Sequence, residues 1–197
     1  MSTYEPHTAE RHWLNSLLGY AVLLVIVVCG VGLWLGVPVA QQYPAKISTP
    51  AQVLGNNRVT DPSLETDTAQ LRDSLRKYPL MSNATAAYYM DEKKPELVFV
   101  LAVSGFLLMP ERDLDTILHE LDDGMEAVGE LTDVDAGDLG GSAKCAYFRF
   151  EGMGTARGTL CGWADHGSLG VVLILPVRDR DEGARKMLDV RFAVETR

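Results

Sequence analysis

The longest apolar stretch of the chain is also its longest uncharged one. Residues 13–45 contain no Asp, Glu, Lys, Arg or His, and 17–37 are almost wholly apolar. At about 1.5 Å rise per residue, 17–37 span about 31 Å as a helix, against about 30 Å for the hydrocarbon core of a bilayer. This predicts a single-pass transmembrane helix over 17–37, with a polar segment, 1–16, ahead of it. Trp13 and Tyr20 near one end, and Trp34 and Tyr43 near the other, stand where amphipathic rings favour the membrane interface. A cleaved signal peptide fits less well, because its apolar core usually runs about 7–15 residues. Pro38 also stands where such a cleavage site wants a small residue, and Val28 before Cys29 spoils a lipoprotein site. Pro38 and Pro44 are expected to end the helix.

Behind the apolar run the rhythm changes. Residues 38–62 hold Pro44, Pro50 and Gly55-Asn56-Asn57 without a sustained period, and read as a linker. A domain over 63–197 follows. Pro62 after Asp61 suits a helix start, with Leu64, Leu71 and Leu75 on one face. Residues 84–90 and 97–103 read as strands around an Asp91–Pro95 turn, the second strand being the central one. Pro110 opens a helix to about Val128, marked by Leu114, Ile117, Leu118, Leu121 and Met125 at helical spacing. Three strands then follow at 145–151, 155–165 and 169–175. Asp179 or Asp181 caps a last helix carrying Ala184, Met187, Leu188 and Phe192, although 190–194 could also run as a strand. Strands grouped together with helices outside the meander give an α+β domain, with a mainly antiparallel sheet and two or three helices.

The cysteines sharpen this picture. Gly152-Met153-Gly154 fits a three-residue hairpin loop. If Glu151 faces Thr155, then Arg149 faces Arg157, Tyr147 faces Thr159 and Cys145 faces Cys161. Opposite Cβ atoms about 4.5–5.5 Å apart can be drawn into a bridge. A Cys145–Cys161 disulfide is therefore expected, which places the domain in an oxidising compartment outside the cytoplasm. The charge bias that would orient the helix is thin, with only Arg11 ahead of it and Lys46 behind.

Charge narrows the partners. The chain carries 18 Lys+Arg against 27 Asp+Glu, and only Arg11, Glu5 and Glu10 precede the apolar run. So acidic a domain has no basic face for nucleic acid or anionic lipid.

Candidate chemistry is sparse. Asp165, His166 and Ser168 are the letters of a hydrolase triad, but residues this close cannot line up as Asp behind His behind Ser. A turn joining two strands accounts for them better. Asp133, Asp135 and Asp138 miss the calcium-loop pattern, since Gly137 falls on a ligand position and no Glu closes the loop. His119-Glu120 has no partner at helical spacing for a metal. Gly152, Gly154 and Gly158 lie between strands and make no dinucleotide fingerprint. Asn83-Ala84-Thr85 is a glycosylation sequon, and Gly32 with Gly36 forms a GxxxG that could pair helices. No catalytic residue, cofactor or metal ligand is expected.

Cys145, Cys161, Trp163, Ala164 and Asp165, behind a short polar start and one anchor, resemble a pattern in uncharacterised single-pass envelope proteins of actinobacteria. The resemblance covers about the last 100 residues and implies no activity. The expectation is a non-enzymatic, extracytoplasmic interaction or sensor domain, held to the cell membrane by 17–37 and meeting an envelope protein partner. One alternative is an accessory subunit of a membrane secretion or transport complex. Another is an envelope hydrolase or thiol oxidoreductase using Asp165, His166 or Cys161.

Overall fold

The computed structural model describes residues 8–62, 66, 69, 81–122, 129–149, 157–177 and 179–197. The chain divides into two units after Gln41.

The first unit is dominated by helix α1, Thr8–Gln42. It is apolar on every side, and Leu18, Leu23, Leu24, Ile26, Val28 and Leu33 are all exposed. Among the described residues, no helix is long and apolar enough to cross a membrane. The unbroken run of described side chains in α1, 18–33, covers about 24 Å of helix. Pro38 was expected to end this helix and does not. A proline removes a single backbone bond and bends a helix without always ending it. Termination comes instead just before Tyr43, the residue preceding Pro44, where the proline ring disfavours helical backbone.

The second unit is α+β, built on an eight-stranded antiparallel sheet. Its strands are β2 (Gln52–Val53), β3 (Asn56–Arg58), β4 (Met81–Asp91), β5 (Lys94–Gly105), β6 (Thr132–Val134), β7 (Ser142–Arg149), β8 (Arg157–Ala164) and β9 (Ser168–Leu175). The spatial order is β2-β3-β4-β5-β9-β8-β7-β6. The long apolar β5 is central, as its unbroken Val/Leu run predicts for a strand covered on both faces. A separate two-stranded ladder joins β1 (Lys46–Ile47) to β10 (Glu195–Thr196).

Period-2 alternation sends neighbouring residues of each strand to opposite faces, and one helix covers each face. Helix α2, Pro110–Asp122, sets Leu114 and Leu118 against Phe148, Leu160, Leu169 and Val171. Helix α3, Arg180–Val194, sets Met187, Val190 and Val194 against Cys145, Cys161, Trp163, Val172 and Ile174. Asp179 is the N-cap of α3, accepting from the Glu182 amide.

Two expectations are corrected here. Residues 38–62 are not a bare linker. The last turn of α1 occupies the start of that range, and β1, β2 and β3 occupy much of the rest. Asn83 Nδ2 donates to Ile47 O at 3.1 Å, and Tyr89 Oη donates to Pro50 O at 3.2 Å, fastening this segment to β4. Phe192 was assigned to the apolar face of α3 but is exposed. The buried stripe runs Gly183, Met187, Val190, Arg191 and Val194, and so includes an arginine. The expected helix after Pro62, with Leu64, Leu71 and Leu75, and the Gly152-Met153-Gly154 loop lie outside the described residues.

The hairpin register is as the spacing predicts: Arg149 faces Arg157, Tyr147 faces Thr159, and Cys145 faces Cys161. The last pair is a disulfide, with Cα atoms 4.1 Å apart. It lies in the core beneath α3, and neither cysteine is exposed. Replacing both cysteines by alanine is expected to lower unfolding free energy by about 3 kcal/mol, because the bridge closes a short loop in the unfolded chain. Urea titration with and without reductant checks this, since reduction should reproduce the loss in the native sequence and leave the double variant unmoved.

Candidate functional site

The chemically densest region is the β8–β9 turn. Asp165 N donates to Ser168 O at 2.9 Å, closing the turn. Asp165 Oδ1 then accepts from the amides of Gly167 at 2.6 Å and Ser168 at 2.9 Å. An aspartate at the start of a turn commonly bonds the backbone just ahead in this way.

The other oxygen of Asp165 faces inward to a cluster that sequence reading missed. Oδ2 accepts from Ser168 Oγ at 3.2 Å, from Arg197 Nη2 at 2.6 Å and from Arg191 Nη2. Glu195 Oε2 accepts from Ser168 Oγ at 2.9 Å and from Arg191 Nε at 3.0 Å, while its Oε1 takes Arg197 Nη2 at 3.0 Å. Arg191 completes the set by donating Nη1 to Ala136 O at 2.9 Å and Gly140 O at 2.8 Å. Two carboxylates thus meet two guanidinium groups. Burial and the neighbouring Glu195 push the Asp165 carboxyl above its ordinary value, while the Gly167 amide and the two arginines pull it back. This arrangement locks the β8–β9 turn to the end of α3 and to the loop ahead of β7. Each of its donors and acceptors already serves that purpose.

His166 points elsewhere. Its Nδ1 is 2.8 Å from Leu107 O and so carries the proton, leaving Nε2 as the acceptor. The triad letters therefore do not assemble: Asp165 is bonded to Ser168, not to His166, and Ser168 is buried between carboxylates. His166 instead lines a hollow of about 460 Å³ with Arg112, Asp115 and Ser142. A second hollow of about 330 Å³ lies along the same helix and is lined by Asp115, His119 and Lys144. Lys144 Nζ donates to Asp115 Oδ1 at 2.5 Å, a bond that raises the lysine above its ordinary value. The hollows thus carry mixed, mutually paired charges.

The remaining candidates disperse. Asp133 lies in β6, and Asp135 accepts from the Gly137 amide at 2.9 Å as a turn. Among the described residues, no three His, Cys, Asp or Glu side chains gather as a metal site would need. Asn83 lies inside β4 with its amide nitrogen engaged on Ile47 O, an awkward place for a glycan.

No family model matches the chain, and no characterised protein or solved structure matches it. The site must therefore be read from its own geometry. Thiol exchange needs a sulfur that an attacking thiolate can reach, and both sulfur-bearing residues are buried. Hydrolysis needs a nucleophile held by a base, and the described residues show no such pair. One signal for the buried cluster was present in the sequence: Arg191 falls four residues after Met187 and three before Val194, inside the apolar stripe.

Proposed function

We propose that this protein is a non-enzymatic interaction or sensor domain tethered to the cell membrane through residues 17–37. The segment 1–16 stays in the cytoplasm and the domain lies outside. The observation that carries the reading is α1. A helix apolar on all faces belongs in a protein core or a bilayer, and its leucines, isoleucines and valines are exposed. The Cys145–Cys161 bridge supports an oxidising location. The commitment of Asp165, Ser168, Arg191, Glu195 and Arg197 to holding the fold supports a binding role over a catalytic one. The likeness to single-pass actinobacterial envelope proteins points the same way, with an envelope protein as partner.

The accessory-subunit reading draws on Gly32 and Gly36, which have open space beside them on α1 and leave a smooth strip for a neighbouring helix.

Topology is tested with one exposed cysteine. In a Cys29→Ser background, Glu92→Cys in the β4–β5 turn should react with a membrane-impermeant maleimide in intact cells. Cys145 and Cys161 should react only after reduction and unfolding. Reaction of position 92 only after lysis would put the domain in the cytoplasm and overturn the reading.

A further inference from the structure

The loop between β5 and α2 turns apolar side chains outward without being slack. Leu108 is 69% exposed and Met109 54% exposed. Yet the loop is pinned from below: Gly105 N donates to Gly167 O at 3.0 Å, Leu107 N donates to His166 O at 3.1 Å, and the Leu107 side chain is buried. A rigid backbone that holds two large apolar side chains in the open differs from the scattered surface leucines that need no explanation.

What lies beside the loop identifies its occupant. Tyr43, the first residue after α1, packs its ring edge-on against Phe106 of this loop, with centroids 5.8 Å apart. Gln42, the last residue of α1, accepts from the amide of His166 at 3.0 Å, in the turn that pins the loop. The point where the chain enters the domain and the apolar loop are therefore one piece of structure. From Val37 to Tyr43 helical rise carries the chain about 9 Å, or about 8 Å of height at a typical tilt, which is close to the depth of the headgroup layer.

We propose that Phe106, Leu108 and Met109, together with Tyr43, form a membrane-docking surface that enters the headgroup–acyl boundary beside the anchor. This rests on residues 17–37 spanning the bilayer, and it gives the domain a second, non-contiguous foothold on the lipid. Tyr43 supplies the amphipathic ring favoured at that depth, and Leu108 and Met109 supply the apolar area that interfacial binding needs. The domain is acidic, so attraction to anionic lipid is not the driving force, and docking should not weaken as salt rises.

The test uses the full chain in phosphatidylcholine vesicles, some of whose lipids carry a nitroxide on the acyl chain close to the headgroup. In a Cys29→Ser background, Leu108→Cys and Glu92→Cys are each labelled with an environment-sensitive fluorophore. The native chain is labelled at Cys29 and studied with a nitroxide placed deep in the acyl region. We expect position 108 to lose more than half its emission in shallow-nitroxide vesicles, unchanged by high salt, while position 92 loses almost none. Quenching at Cys29 without quenching at 108 would overturn the docking surface and leave the anchor standing. No quenching at Cys29 would overturn the anchor, and the proposal with it. A blue-shifted but unquenched label at 108 would mean that protein covers the loop, which also overturns the proposal.

Discussion

Arg191→Met is expected to lower unfolding free energy by about 3–5 kcal/mol, the scale for removing one partner of a buried ion pair. The arginine is only 1% exposed and its partners Asp165 and Glu195 are as deeply buried. Methionine fills much of the same volume, so the loss is electrostatic and not a matter of packing. Without the guanidinium, Asp165 and Glu195 share Arg197 alone, and the carbonyls of Ala136 and Gly140 lose their common donor. A buried acceptor left unmade costs more than the same bond contributes when present. Arg191→Lys should recover only part of the loss, because one ammonium cannot reach four acceptors in the plane of a guanidinium fork. Urea unfolding of the full chain in detergent measures all three proteins. A loss below about 1 kcal/mol for the methionine variant would be ordinary for an exposed pair, and would mean the cluster is far wetter than its burial indicates.

The contrast between this cluster and the Cys145–Cys161 hairpin shows what the sequence could reveal. The hairpin was legible because strand pairing has a strict period of two. Once the loop length is chosen, every pair from Arg149–Arg157 to Cys145–Cys161 follows. Helix α2 was legible for a similar local reason, since Leu114 and Leu118 repeat at helical spacing with acids in the first turn. The ion cluster joins residues 165, 191, 195 and 197, and its members look like ordinary surface charges until a fold buries them. Phe192 misled for the converse reason: an aromatic side chain on α3 reads as core, but it sits about 100° around the helix from Arg191. Strands β1 to β3 went unseen because each is two or three residues long. Nor does local sequence say that Lys46–Ile47 pairs with Glu195–Thr196, near the other end of the chain. The triad letters at 165–168 were correctly read as a turn, because three adjacent positions allow too few side-chain directions for a relay.

Trp163→Ala is expected to destabilise the domain by about 3–5 kcal/mol, the range for truncating a fully buried large aromatic residue. Trp163 lies in β8 with Ala143 opposite it on one side and Gly170 opposite it on the other. Both neighbours are small, and the indole ring lies over Gly170. A Cβ on residue 170 would come within 2.5 Å of Trp163 Cε2 and closer still to other ring atoms. An aromatic side chain covering a cross-strand glycine is a known device for pinning register and shielding an exposed backbone. Gly170→Ala alone should therefore cost about 1–3 kcal/mol through overpacking, since the ring must leave its rotamer or the strands must part. Trp163 Nε1 has no hydrogen-bond partner among the described residues, so truncation at 163 leaves no stranded acceptor to confuse the result. In the Trp163→Ala background the same Gly170→Ala change places a methyl group into the space the ring has left. Its effect should fall to near zero or become stabilising, a coupling well beyond the few tenths of a kcal/mol expected of independent sites. Unfolding of the two single variants and the double variant decides the matter. Simple additivity would mean that the ring does not occupy the space above Gly170, and the packing of β8 on β9 would have to be redrawn.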